Sequence, residues 1–451
     1  MSAESTSYGD VRAAMGLCVA AVAVLLIPAT SSIKDLLRLD IPWIDPTLLL
    51  APIAFIFLSP RLVPQASLAV VAAALLSCLS GAAALAADGS YVVLREFVRL
   101  LLNLVWFWVV VEVVRRKPKM LLNTLAVTVI IQLAIAAAIS IVLAALGETE
   151  SIARLEDYYG GRQVVSLGAV KFQRFMGTFF EGPPFGLFML CSLVVLLVGR
   201  EHLGCTGKLS KCGVAASVAG IIGAFADQVF LGSVVFMAGL FIRRTGAGGQ
   251  LHIRRMVGLA IGLAVAIVVA GNIARKATQL EGAGAAVMIG ASGGERMYHL
   301  EHATASWAAS AGTVLFGIGP GRYGEVAARN GPFTPTTTIQ VTFVEWLAEY
   351  GVVGFLAIVL WLRIVLKSAS GIGWLGSASF WGLLVAVAFQ ANWKVESWFM
   401  ALAVQYAVGE SEVRRYVPGT PRDRGRARGE PSRIRGFGSG MRSDCAQRSG
   451  V

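Results

Sequence analysis

Charge is scarce in this sequence: only 15% of its 451 residues are Asp, Glu, Lys or Arg, against 56% hydrophobic, with a mean hydropathy of +0.69. So few charges cannot keep a soluble domain of this size in water, which leaves the membrane as its solvent. The apolar runs lack the alternation that barrel strands need, so a β-barrel is excluded. Histidine is nearly absent, with four residues, and the six cysteines at 18, 78, 191, 205, 212 and 445 follow no disulfide framework. His202, Cys205 and Cys212 share one short basic loop, but a fourth ligand is missing and the spacing fits no zinc pattern, so no metal and no cofactor is expected. No small-residue cleavage site follows the first apolar run, 11–30, before Lys34, which makes that run a retained span.

What the sequence has in quantity is apolar stretches of 18 residues or more, each able to cross roughly 30 Å of hydrocarbon as a helix. The expected fold is all-α, a polytopic bundle of about twelve transmembrane helices. Basic residues in short loops resist translocation and so set the orientation. Arg115, Arg116, Lys117 and Lys119 form one block, Arg200, Lys208 and Lys211 a second, Arg243, Arg244, Arg254 and Arg255 a third, and Arg363 with Lys367 a fourth. All four are placed in the cytoplasm. The balanced segments belong outside: 147–182 has four basic and five acidic residues, and 273–338 has five and four. Spans at roughly 11–30, 44–59, 66–87, 92–114, 119–146, 183–199, 213–226, 228–242, 256–272, 339–362, 371–391 and 396–410 satisfy this alternation with both termini inside. The pair 213–226 and 228–242 is short and reads as a shallow hairpin with Asp227 at its tip.

Residues 1–410 form the membrane domain, and 411–451 a separate tail with ten arginines and four acidic residues, expected to be disordered and to touch anionic membrane lipid rather than nucleic acid.

Chemistry is expected in the two large external loops, because few ionisable residues fall mid-span, which argues against an ion-coupled transporter. In the first loop Arg174 precedes Met176-Gly177-Thr178-Phe179; its guanidinium is a candidate phosphate clamp, or else lies solvated among headgroups. In the second, 295–315 reads as one helix carrying Arg296, His299 and His302, either a cation-imidazole pair or simply a wet amphipathic face. Gly317, Gly319, Gly321 and Gly324 form no dinucleotide fingerprint, since no strand precedes them. They suit a tight turn that brings backbone to an anionic ligand, with Arg322 beside it. Glu345 and Glu349 share one helix face, where one is a candidate general base and pairing with a loop arginine is the structural alternative.

Together these features resemble the bacterial O-antigen ligase and polysaccharide polymerase family. The resemblance rests on about twelve spans with both ends inside, Arg-x-x-Gly-Thr-Phe at 174–179, an arginine-led external helix followed by Gly-x-Gly, and Phe-x-x-x-Leu-x-Glu-x-Gly-x-x-Gly at 343–354. It covers roughly 90–410. It implies a metal-independent, inverting glycosyl transfer at the periplasmic face of the bacterial inner membrane, with an undecaprenyl-diphosphate-linked glycan as substrate. A chain-length regulator or flippase would be its partner. Arg174 and Arg296 match the family's external arginines, and Arg322 matches more loosely. Ligases of the family place a histidine nine residues before the glutamate that matches Glu349; here that residue is Gln340, which cannot act as a base. The resemblance therefore points to a repeat-unit polymerase over a ligase acting on lipid A-core, with His299, His302 or Glu345 as the base. A transporter or flippase of lipid-linked or anionic solutes is the rival reading, and a non-enzymatic assembly scaffold a third.

Overall fold

A computed structural model describes residues 8–29, 46–60, 65–88, 92–146, 164–167, 170–173, 175–179, 182–245, 292–330, 339, 341–388 and 395–416. The chain divides into two units, Met1–Val413 and Arg414–Val451. The expected span at 256–272 and the tail beyond Tyr416 lie outside the described residues.

The described part is a helical bundle. Its helices are α1 (Tyr8–Leu26), α2 (Pro46–Leu58), α3 (Gln65–Asp88), α4 (Val92–Arg116), α5 (Pro118–Leu146), α6 (Gly182–His202), α7 (Lys208–Ala224), α8 (Asp227–Thr245), α9 (Ser292–Trp307), α10 (Ala311–Phe316), α11 (Tyr323–Asn330), α12 (Thr342–Gly371), α13 (Trp374–Ala388) and α14 (Glu396–Tyr416). Five described segments, Gly9–Leu26, Val92–Arg116, Pro118–Ile141, Pro183–His202 and Thr342–Gly371, are long and apolar enough to cross a membrane. Length and composition thus make this a helical membrane protein. One feature departs from the all-α expectation: β1 (Val164–Leu167) pairs antiparallel with β2 (Val170–Gln173) in the first loop.

Arginine side chains close one end of the bundle. Arg12 donates to the Ile56 carbonyl at 2.5 Å and Arg116 to the Leu58 carbonyl at 2.8 Å, satisfying acceptors that the last turn of α2 leaves without intrahelical partners. Arg116 also bonds the buried Glu112 at 2.8 Å, while Arg115 reaches Glu410 of α14. This basic end contrasts with the opposite one, which carries the turn at 175–179 and helices α9 to α11.

Two sequence expectations are corrected. The segments 213–226 and 228–242 are not a shallow hairpin: α7 and α8 run 17 and 19 residues and pack apart, α7 on α5 and α6, α8 on α13. Small residues drive the second packing, since a Cβ on Gly232 would lie 2.6 Å from both the Ala386 Cβ and the Gly382 carbonyl oxygen. The helix expected over 295–315 is two helices. Ser310 breaks it by capping α10, accepting from the Thr313 N–H, while Thr313 returns a hydroxyl oxygen to the Ser310 N–H.

Candidate functional site

The site is built around a break in α12. Gly351 has φ 66 and ψ −174, a conformation that only glycine adopts without strain, and it splits α12 just after the turns that carry Glu345 and Glu349. The break detaches the Ala348 and Glu349 carbonyls from their helical donors. Other parts of the chain replace those donors: the Ile318 N–H donates to Ala348 at 2.9 Å, the Gly319 N–H to Glu349 at 3.1 Å, and the Ser77 hydroxyl to Glu349 at 2.6 Å. The fit is close, because a Cβ on Gly317 would stand 2.2 Å from the Glu349 oxygen.

The glycine turn brings its backbone to α12, and its Gly317, Ile318 and Gly319 N–H groups all donate to protein carbonyls, so those three are not free to meet an anionic ligand. Beyond it, Gly321 backs onto α4, where a Cβ would lie 2.5 Å from the Glu96 Cγ. The turn thus ties α3, α4 and α12 to the helices outside the bundle.

Ionisable side chains gather around that knot. Glu96, Arg322, Glu345, Glu349 and His299 are all buried. Glu96 pairs with Arg95 at 3.1 Å, and Arg322 lies 3.8 Å from Glu325 and 3.4 Å from the Ile318 carbonyl. A second small core of Ala303, Ile318, Tyr323, Ala327, Ile339 and Ala348 cements α9 and α11 onto α12. Carboxylates buried at the end of a membrane helix require polar partners and mark function more often than scaffold.

His299 and Tyr323 form the best-defined pair. His299 Nδ1 lies 3.0 Å from the Tyr323 hydroxyl, which also lies 3.1 Å from the His299 carbonyl. A carbonyl only accepts, so the single hydroxyl proton goes to it and Nδ1 supplies its own. The inventory therefore assigns His299 the tautomer with a basic Nε2. Burial, with Tyr298 nearby, pushes the Tyr323 phenol up to about 12, so it stays protonated throughout the neutral range.

The remaining candidates fall in different places. His302 is half-buried, stacked on Tyr298 with ring centroids 4.0 Å apart, and its Nδ1 lies 3.0 Å from the Tyr298 carbonyl. It does not share the His299–Tyr323 pair. Arg296 lies on α9, with its side chain outside the described residues; Arg174 and Gln340 lie outside them altogether. The Gly177-Thr178 turn after Arg174 is anchored firmly: the Thr178 N–H donates to Gln132 Oε1 at 3.0 Å, and the Thr178 hydroxyl, 3.0 Å from the same oxygen, has the Pro28 carbonyl as its alternative acceptor.

Sequence reasoning missed Glu96, Tyr323, Ser77 and Gln132. Only Glu96 carried a signal, as a carboxylate among Arg95 and Arg99 at the start of an apolar run. Among the described residues no three His, Cys, Asp or Glu side chains group as a metal site. At the basic end burial holds the Cys205 thiol above its usual range although Lys119 pulls it down.

The fold and this cluster define a class: a helical membrane protein with ionisable groups buried where the short helices α9 to α11 dock onto a broken, apolar long helix. Comparison with family models and with curated proteins finds no match for the chain.

Proposed function

We propose that the protein is a twelve-span bacterial inner-membrane polymerase, with both termini in the cytoplasm, that joins undecaprenyl-diphosphate-linked oligosaccharide repeat units into surface polysaccharide at the periplasmic face. One observation carries the reading: His299, Glu345, Glu349 and Arg322 are each buried, on or beside the helices α9, α11 and α12 that one small core packs together.

The transfer needs three things. A cation must stabilise the leaving diphosphate, a base must take the acceptor's proton, and water must be kept out. In the proposed reaction the acceptor hydroxyl oxygen forms a bond to the donor's anomeric carbon as the bond to the diphosphate oxygen breaks. The electron pair departs with undecaprenyl diphosphate, and the hydroxyl proton passes to His299 or Glu345. Arg174 and Arg296 hold the diphosphate. Arg322, tied to Glu325 and the Ile318 carbonyl, supports the site from behind.

The test is complementation of a strain lacking its own polymerase, using Arg174→Ala, Arg296→Ala, Arg322→Ala, His299→Ala and Glu345→Ala singly, with polymer length as the readout. The proposal expects short or absent polymer from Arg174→Ala, Arg296→Ala and at least one of the two base variants. Full-length polymer from every variant overturns it. Movement of lipid-linked solute across reconstituted vesicles without chain growth would favour a flippase instead.

A further inference from the structure

Helix α10 is apolar, with the sequence Ala-Gly-Thr-Val-Leu-Phe, and none of its residues is buried. Leu315 stands 47% exposed. In water such a helix would be a liability, so its depth relative to the membrane decides what it meets.

The charges on α12 set that depth. Only 13 residues, 350–362, separate Glu349 from Arg363, a rise of about 20 Å against roughly 30 Å of hydrocarbon. The missing length must come from one end or the other. Arg363 and Lys367 are exposed and their long stems reach outward to headgroups, while Glu345 and Glu349 are buried in protein. With one hydrocarbon boundary as far out as Lys367, twenty residues of helix place the other near Leu347, which leaves Gly351 about 6 Å inside. Tilt of the helix only deepens it.

Helix α10 is fixed to that level by backbone geometry. A Cβ on Gly351 would lie 2.4 Å from the Leu315 carbonyl oxygen and 2.5 Å from the Gly317 nitrogen. Irregular backbone survives at this depth only if its polar groups are satisfied by protein. Here protein meets several of them, through the Ile318 and Gly319 bonds to α12, the Ser310–Thr313 capping box and the Trp307 indole, which donates to the Val314 carbonyl at 3.1 Å. Helix α10 packs against α3 and α12, which themselves expose Leu75 and Leu76, and Leu356 and Leu360.

We infer that α10 and the turn to Gly319 form a re-entrant wedge in the bilayer, with Leu315 lying against phospholipid acyl chains. The wedge would hold the buried carboxylates at the level of the acyl chain ends nearest the headgroups. The inference does not depend on the proposed chemistry.

The test attaches an environment-sensitive fluorophore to Leu315→Cys and, separately, to Glu301→Cys on the exposed face of α9. The full chain is reconstituted in phosphatidylethanolamine–phosphatidylglycerol vesicles and read against the unsubstituted chain, whose exposed Cys18 and Cys212 set the background. Leu315 is exposed, so its replacement removes little packing. Quenching of position 315 by nitroxide-labelled acyl chains and not by aqueous iodide, with the reverse at 301, is the expected result. Absence of lipid quenching at 315 overturns the inference, whether iodide reaches the probe or another chain covers it.

Discussion

The Ser77 hydroxyl donates to the Glu349 carbonyl at 2.6 Å, bridging 272 positions of sequence to hold α3 against the break in α12. This oxygen also accepts from the Gly319 N–H, so two separate segments replace the donor that Gly351 removes. Ser77→Ala leaves one of those two bonds and empties little volume. It should lower stability by about 1–2 kcal/mol, read as a lower melting temperature in detergent. A melting curve unchanged from the parent would show that the Gly319 bond alone suffices.

Gly351→Ala and Gly373→Ala separate conformational strain from collision. Both glycines have positive φ, 66 and 79, but a Cβ at 373 meets nothing within 4 Å whereas one at 351 meets backbone at 2.4 Å. Gly373→Ala should cost about 1–3 kcal/mol of strain. Gly351→Ala should cost clearly more, because backbone cannot move aside as a flexible side chain can. Equal melting temperatures for the two variants would contradict the docking of the glycine turn onto α12.

Tyr323 should be the most reluctant to ionise of the described tyrosines outside the spans. Its folded value near 12 lies above the ordinary value of 10.0, so folding favours the neutral phenol. Its contribution to stability is complete below pH 10 and is lost as pH rises toward 12. Tyrosinate absorbance of the wild type should therefore carry a component that appears only well above pH 10, and Tyr323→Phe should reduce it.

His299 and His302 should part company in activity. His299→Gln removes the basic Nε2 of a ring that Tyr323 holds through Nδ1, and a loss of roughly 100-fold or more in polymer formation is expected of a general base. His302→Gln disturbs the stacking on Tyr298 and the Nδ1 contact with the Tyr298 carbonyl, and should stay within about threefold. Equal losses would remove the distinction that burial draws between them.

Much of the bundle was legible because hydrocarbon imposes one simple rule, about twenty apolar residues per crossing, which the runs at 92–114 and 119–146 obey. The break at 308–310 was not, since a serine cap looks like any polar residue within an amphipathic pattern. The site was legible as residue types and not as geometry. Glu345 and Glu349 stood out as ionisable groups at a span edge and Arg322 and His299 as such groups in the large external loop, but nothing in their spacing announced Tyr323 as partner to His299. The glycines of 317–321 signalled close approach correctly; what they approach is another backbone, a long-range fact absent from local sequence.

The central claim is best tested with the purified chain in vesicles supplied with undecaprenyl-diphosphate-linked repeat units, following the length of the lipid-linked glycan over time. Wild-type protein should extend the chain while releasing one undecaprenyl diphosphate per linkage, and Arg296→Ala and Glu345→Gln should each slow extension by about 100-fold or more. Glycan that stays at one repeat unit with the wild-type chain, or that grows equally with both variants, would contradict the account.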